Sequence, residues 1–401
     1  MKNYKYVIIG GGMTAAAAIQ GIREVDPNGS IILFNKEPFR PYNRPPLTKK
    51  LWQGKSEEMI WRPLPSDNLD LVLECRVKAI NLHDEQVEDE GGNYYGYKRL
   101  LIATGGTPKY LPADTGEILY YRTLSDYRKL KSWTGKGLTF GVIGDGFIGS
   151  EISAALAMNG ERVVLCIPGD YIGERVYPRD LAKFITDYYR QKGVEVRPNS
   201  IVQAVEPREG RKVIQTMDGQ IIEIDQVVAG IGIYPNVELA RSADIKLAGH
   251  ETGGGILVDE HLRTDQTDIY AAGDVASFYN PILNKRMRVE HADNANTMGR
   301  VAGLNLAGEL TRYDHLPYFY SDLFELGYEA IGELDASLET FADWDEPFRK
   351  GVIYYLKNHQ VRGVLLWNTW DQVDAARKLI AEGREYSDPT QALKHRLPEG
   401  A

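Results

Sequence analysis

The stretch YVIIGGGMTAAAAIQGIREV, Tyr6–Val25, decides the fold. An apolar run, Tyr6–Ile9, enters three glycines, and an alanine-rich helical stretch follows at once. A turn, DPNGS, then leads to a second apolar run, Ile31–Phe34. Strand, glycine loop, helix and strand over about thirty residues predict a βαβ unit with parallel strands. The loop reads Gly10-x-Gly12-x-x-Ala15. In a dinucleotide-binding turn the first glycine permits the tight turn and the second lets backbone approach a pyrophosphate. The small third residue packs helix on strand. The helix N-terminus, here Met13 and Thr14, offers unpaired N–H groups and positive potential to phosphates. Glu37, 27 residues after Gly10, follows the second strand, where an acid accepts from ribose hydroxyls. The plainer alternative for such glycines is an ordinary βα turn.

The pattern recurs. LTFGVIG, DGFIG, SEISAALAMNG and RVVLCI repeat strand, loop, helix and strand around Gly144-x-Gly146-x-x-Gly149, with Phe147 and Ile148 inside the motif. Gly10 and Gly144 are 134 residues apart. A second pair, RLLIATGGTP (Arg99–Pro108) and QVVAGIGIYP (Gln226–Pro235), places Ala103 and Ala229 126 residues apart. Similar order and offset predict a duplicated nucleotide-binding unit with the second copy inserted in the first. In the glycine turns of this pair, Ala103, Thr104, Gly105 and Gly232 are candidate cofactor contacts. Two dinucleotide loops suggest two dinucleotides, a tightly held flavin and a visiting nicotinamide. The pyrophosphate-shaped first loop selects FAD over FMN. In the second copy Ile167 occupies the strand end, and the nearest acid is Asp170, 26 residues after Gly144. No arginine pair stands there, although Arg175 is five residues on, so NADH is preferred over NADPH.

The remaining chain supplies strands (YEAIGEL, GVIYYLK, VRGVLLW) and a helix, DQVDAARKLIAEG. They predict an antiparallel sheet with one wet face, followed by a dozen polar, frayed residues. The fold class is α/β: two Rossmann-like dinucleotide-binding domains, the NAD domain inserted in the FAD domain, plus a C-terminal α+β domain. The boundaries are 1–112 with 246–312 for FAD, 113–245 for NAD and 313–401 for the C-terminal domain.

Composition sets limits. The 47 basic and 56 acidic residues leave a net charge of −9, which disfavours nucleic acid. No apolar run reaches the roughly 18 residues of a membrane span. Cys75 and Cys166 form no CxxC, so zinc ribbons and dithiol chemistry are excluded, and two free thiols are expected. No metal site is expected. A start that runs straight into the first strand makes the cytoplasm the expected compartment. Glycine, at 40 residues, stands at about 10% against the usual ~7%.

RPYNRPPLTKKLW (Arg40–Trp52), LLIATGGTP, VIGDGFIGSE, IYAAGDVASF and RVEHADNA together resemble the FAD-dependent pyridine-nucleotide reductases, and within them the ferredoxin-reductase group. YSDLFELGYEAIG and the last helix are similar to the apoptosis-inducing factor branch. The resemblance implies a fold of glutathione reductase type, that Arg44 and Lys49 lie beside the flavin, that Glu151 pairs with Lys49, and that Phe147 lies over the nicotinamide site. It implies that Asp274, after Gly273, bonds the ribityl and diphosphate region, with a helix N-cap as the plainer reading. Glu290, His291 and Ala292 open a helix whose dipole favours an anionic reduced flavin. Val77 and Arg122 match positions near FAD, and Tyr320 stands where relatives carry tryptophan.

The activity implied is hydride transfer from NADH to flavin N5, then electron transfer to a ferredoxin or rubredoxin. The alternative is a slow, redox-gated protein whose NADH-reduced charge-transfer state controls dimerisation or partner binding. The oligomer is open between monomer and homodimer. Arg377, Lys378 and Arg384 are candidates for docking an acidic carrier, with a solvated helix face as the plainer reading.

Overall fold

In the computed structural model, which describes residues 2–397, the chain divides into two compact units. The first comprises residues 1–44, 57–107 and 234–317. The second comprises 45–56, 108–233 and 318–401.

The first unit is built on a parallel sheet. Its strand Lys2–Ile9 lies between Ile31–Phe34 and Tyr94–Ile102, with Leu69–Val72 beyond the former and Ile269–Ala271 beside the latter. Tyr6–Ile9 and Ile31–Phe34 are buried on both faces, as helix-covered parallel strands must be. The crossover helix Met13–Val25 packs against the helix Ala292–Ala307. Glycine sets that distance. A Cβ at Gly303 would lie 2.1 Å from the Ala18 carbonyl oxygen, and one at Gly299 would lie 2.4 Å from that of Thr14. On the other side, a Cβ at Gly21 would meet the Arg300 carbonyl at 2.2 Å. This Gly299-x-x-x-Gly303 spacing puts both glycines on one helix face. It was readable in the sequence and went unread.

The second unit repeats the plan. Five parallel strands run in the order Val194–Arg197, Arg162–Cys166, Thr139–Ile143, Gln226–Ala229 and Ile118–Tyr120. The strand before each glycine loop is central in both sheets. It pairs with the strand after the helix on one side and with a strand of the second repeated pair on the other. Each unit also carries an antiparallel meander, Val77–Asn81 with Gln86–Asp89 and Tyr94–Ile102, and Val202–Arg208 with Arg211–Thr216 and Ile221–Ile224.

The C-terminal sheet is antiparallel, in the order Tyr318–Leu323, Leu326–Gly332, Gln360–Trp367, Lys350–Lys357 and Glu339–Glu346. Two expectations fail here. The sheet has no wet face at its centre, because Val352–Leu356 and Gly363–Trp367 are buried throughout. The helix Val373–Ala381 covers one side, with Arg377 over the Tyr318 ring at 5.4 Å. The Val176–Tyr177 segment covers the other, through Tyr177 to Tyr328 at 2.9 Å and Tyr355 to the Val176 carbonyl at 2.8 Å. The polar tail does not simply fray either. Pro389–Leu393 forms a short helix capped by Asp388, and Leu393 and Leu397 are buried. Residues 398–401 lie outside the described residues. Cys75 and Cys166 are free thiols, as expected.

Gly303→Leu should lower unfolding stability by about 2 kcal/mol or more, because backbone cannot yield to the new side chain. Denaturant titration checks this, and an unchanged midpoint would show that the two helices do not depend on that close approach.

Candidate functional site

In the first unit Gly10 adopts φ +110, and a Cβ there would strike the Ala103 carbonyl oxygen at 2.2 Å. Gly12 differs: its φ is −88, and a Cβ would meet nothing within 4 Å. No protein atom requires glycine at position 12. The absent side chain keeps open space beside the loop, which is what close approach of a pyrophosphate needs. Ala15 is fully buried in the helix behind. At the strand end Asn35 holds the turn that carries Glu37. Its Oδ1 accepts from the Glu37 N–H at 3.2 Å, and its Nδ2 donates to the Phe39 carbonyl at 2.6 Å. Glu37 accepts from Arg44 at 2.6 Å and Tyr42 at 2.6 Å. Burial raises the Glu37 carboxyl, but Arg44 and Tyr42 pull it further down, below the ordinary carboxylate range. Glu37 and Arg44, predicted separately, therefore form one pair.

The Ala103–Gly105 turn is held by a residue that sequence reasoning missed. Asn236 donates to the Thr104 carbonyl at 2.8 Å and accepts from Thr107 at 2.7 Å, while Thr104 donates to the Asn236 carbonyl at 2.8 Å. Its signal was its place directly after the repeated glycine turn and proline. Val77 is a buried strand residue. Gly273 has φ +79 and packs on Thr14, whose Oγ1 would lie 2.3 Å from a Cβ. Asp274 sits inside a single 3₁₀ turn, Gly273–Val275, so the helix N-cap reading is replaced. His291 is the residue preceding the helix Ala292–Ala307 and caps it through backbone alone. Burial pushes its imidazole down to about 4 against the raising effect of Asp274 and Asp293. Glu290 is exposed and paired with Arg288 at 2.7 Å.

In the second unit the glycines divide the same labour. Gly144 has φ +106, with the Gly230 carbonyl 2.7 Å from a notional Cβ. A Cβ at Gly149 would lie 1.9 Å from the Gly144 carbonyl oxygen, and one at Gly146 would meet nothing within 4 Å. Ile148 packs behind Gly230, and Gly232 accepts from the Lys109 N–H at 2.9 Å. Phe147, the first helical residue, is half-exposed and rests on Phe319 with centroids 4.8 Å apart. It is not a core phenylalanine.

Glu151, on the second turn of that helix, is the hub of a buried cluster. Lys49 Nζ lies 2.6 Å from Glu151 Oε2, with both side chains more than nine-tenths buried. Thr48 donates to the same oxygen at 2.5 Å, and Ser321 donates to Oε1 at 2.6 Å. Thr48 and Ser321 were not anticipated. Lys49 also lies over the Tyr320 ring at 5.1 Å, and burial pushes that phenol up to about 12. Burial, then Glu151, raise the Asp322 carboxyl against the lowering effect of Lys49. The lysine segment is pinned by Tyr121, which donates to the Leu47 carbonyl at 2.5 Å, and by Trp52 against Tyr127. Arg122 leads into a helix through a Thr123–Asp126 capping box. Asp170 is exposed, accepting from Asn199 at 3.1 Å with Arg179 at 3.5 Å.

Residues 4–299 match the pyridine nucleotide-disulphide oxidoreductase family. The chain belongs to that family. Residues 302–347 and 341–382 further match the C-terminal domain of mitochondrion-associated apoptosis-inducing factor. Among curated relatives, apoptosis-inducing factor 1 of Dictyostelium discoideum is 34% identical over 99% of this chain and 82% of its own length. The ferredoxin–NAD(+) reductase component of the anthranilate 1,2-dioxygenase system of Burkholderia cepacia is 29% identical over 97% and 98%. Among solved structures, the reductase of the covalent putidaredoxin reductase–putidaredoxin complex is 28% identical, with a TM-score of 0.87 over 96% of this chain and 94% of that one. As a pyridine nucleotide-disulphide oxidoreductase of this branch, the chain is an NAD(P)H-dependent FAD oxidoreductase. The glycine cradles fit those dinucleotides: each loop leaves open the one position where a ligand backbone must come close.

Two outcomes follow. Gly12→Val should leave the unfolding midpoint near that of the parent while FAD retention, read from the flavin absorbance of the purified protein, falls sharply; full yellow colour would show that the open space is unused. The folded pKa of His291 lies below the ordinary 6.5, so the unfolded chain takes up its proton first as pH falls. Stability held above 6.5 is therefore lost between 6.5 and about 4. His291→Gln should flatten that loss, measured by denaturant titration at neutral pH and near the lower limit.

Proposed function

We propose that this protein is an NADH-dependent FAD reductase that passes electrons to a small iron–sulphur carrier, a ferredoxin or rubredoxin. The observation that carries the reading is the buried Lys49–Glu151 pair on the helix opened by the second glycine loop. When bound, FAD supplies the hydride acceptor and can release electrons one at a time. Lys49 then holds a positive charge, and a proton, in a site closed to water, where such a charge acts strongly on a developing anion. Glu151 fixes the ammonium, and Thr48 and Ser321 fix Glu151. Phe147 provides a movable aromatic face beside the second loop. The strand end after the second loop carries no arginine pair for a 2′-phosphate, which supports NADH over NADPH. Residues 1–112 with 246–312 carry FAD, 113–245 take the nicotinamide nucleotide and 313–401 form the C-terminal α+β domain. The protein works in the cytoplasm as a monomer or homodimer.

The carrier reading is supported by relatives that are named as ferredoxin reductases and by a similar reductase solved covalently joined to putidaredoxin. The C-terminal match to apoptosis-inducing factor favours one other reading, a slow redox-gated interaction protein. Anaerobic reduction by NADH, then exposure to air, then a panel of ferredoxins and rubredoxins separates them. Rapid turnover with a carrier is expected. A long-lived reduced dimer with no carrier activity would favour gating instead.

Lys49→Ala should retain FAD yet slow its reduction about tenfold or more. It should also cost roughly 3 kcal/mol of stability, because Glu151 is left buried and unpaired. Adding Glu151→Gln should recover most of that stability but not the rate. An unimpaired rate in the single variant would remove Lys49 from the mechanism.

A further inference from the structure

The strand after the second glycine loop, Arg162–Cys166, runs into Ile167, Pro168 and Gly169 and presents no acid of its own. A dinucleotide-binding unit that selects a free ribose needs a carboxylate at this strand end. Glu174 folds back to supply one. A Cβ at Gly169 would lie 1.7 Å from Glu174 Oε1 and 2.3 Å from its Cδ, so the carboxyl group fills the volume that a side chain at position 169 would take. The group is fixed: Oε2 accepts from the backbone N–H groups of Asp170 at 2.9 Å and Tyr171 at 3.2 Å. Among the described residues no donor is bonded to Oε1, and Glu174 is partly exposed. Asp170 is exposed and already engaged by Asn199 and Arg179.

We propose that Glu174, rather than Asp170, accepts from the 2′-hydroxyl of the adenosine ribose and sets the preference for a dinucleotide without a 2′-phosphate. The inference rests on the NADH reading of the second loop and names the residue responsible. Oε1 is an immobilised acceptor, so a ribose hydroxyl bonds to it without ordering a flexible side chain. A 2′-phosphate would face the Glu174 carboxylate with the Asp170 carboxylate nearby, and like charges brought together disfavour binding. The two loop N–H groups that could otherwise serve a phosphate are bonded to Oε2. The arginines near the loop are Arg179, facing Asp170 at 3.5 Å, and the exposed Arg175.

Calorimetric titration of the yellow holoprotein with ADP-ribose and with 2′-phospho-ADP-ribose tests the assignment without turnover. The parent should bind ADP-ribose more tightly. Glu174→Ala should weaken ADP-ribose by about tenfold or more, the scale of one hydrogen bond to a charged group, and spare the phosphorylated probe. Asp170→Asn should leave the affinity for ADP-ribose within about twofold, since it removes no contact to the sugar, while the phosphorylated probe, relieved of one nearby charge, binds no more weakly than before. Gly169→Glu combined with Glu174→Ala should restore the preference, because it returns a carboxylate to the same place from a different residue. Loss of preference in Asp170→Asn, or an unchanged preference in Glu174→Ala, overturns the proposal. A parent that binds neither probe overturns the nucleotide reading of the second loop. A parent that prefers the phosphorylated probe overturns the NADH reading and gives the site to Arg175.

Discussion

Gly10 and Gly144 hold φ +110 and +106, a region that side chains rarely enter. In each case the carbonyl oxygen of the neighbouring strand's turn stands where a Cβ would be. Much of the chain follows from those two approaches. They fix where each crossover helix begins, and so which backbone amides point outward from its first turn. They also bind each glycine loop to a distant segment, Ala103 for one and Gly230 for the other. That is why the glycine turns recur in pairs along the sequence. Some of the excess glycine, Gly149, Gly299 and Gly303 among it, sits where backbone meets backbone, and much of the rest takes a positive φ at a turn; Gly12 and Gly146 do neither. Those two meet nothing, and a glycine that no protein atom requires marks where something else must fit.

The second constraint is electrostatic. Lys49 and Glu151 are separated by 102 positions in sequence, and both are buried. Withdrawing such charges from water costs several kcal/mol per ion unless hydrogen bonds fill the remaining sites. Here Thr48 and Ser321 do so, and Tyr320 offers its ring face to the ammonium. A buried pair is weak grounds for stability. The four polar groups instead hold one another in a single arrangement on the second turn of the helix Phe147–Met158.

Local pattern carried most of the architecture. The strand Ile31–Phe34 and the helices after each loop were legible because apolar runs, glycine turns and helical stretches agree at every level. The antiparallel meanders were not, although Glu209-Gly210 and Asp218-Gly219 mark the turns of one of them, because a strand such as Ile221–Ile224 is only four residues long and its alternation is brief. The site divided along the same line. Residues inside motifs, such as Gly144 and Gly146, were singled out from spacing, and Phe147, Lys49 and Glu151 from resemblance. Asn35, Thr48, Asn236 and Ser321 were missed, because a polar residue that orients another side chain has no periodicity and no fixed offset. The single wet face expected of the C-terminal sheet failed for a related reason. Alternation along Gln360–Trp367 is absent, and that run signals two covered faces rather than one.

Ser321 shows how the C-terminal sheet reaches the chemistry. On an edge strand with period two, Phe319 and Ser321 point to one face and Tyr320 to the other. Pairing with Ala330 and Tyr328 sets that register. Phe319 then rests on Tyr328, whose ring stacks on Trp367 and whose hydroxyl accepts from Tyr177. A one-residue slip would turn Ser321 away from Glu151 and bring a tyrosine or an aspartate in its place. The aromatic core beneath the strand makes such a slip expensive. The large, doubly covered sheet therefore determines more than the stability of the C-terminal region. It fixes, to the accuracy of one hydrogen bond, which group completes the carboxylate that holds Lys49.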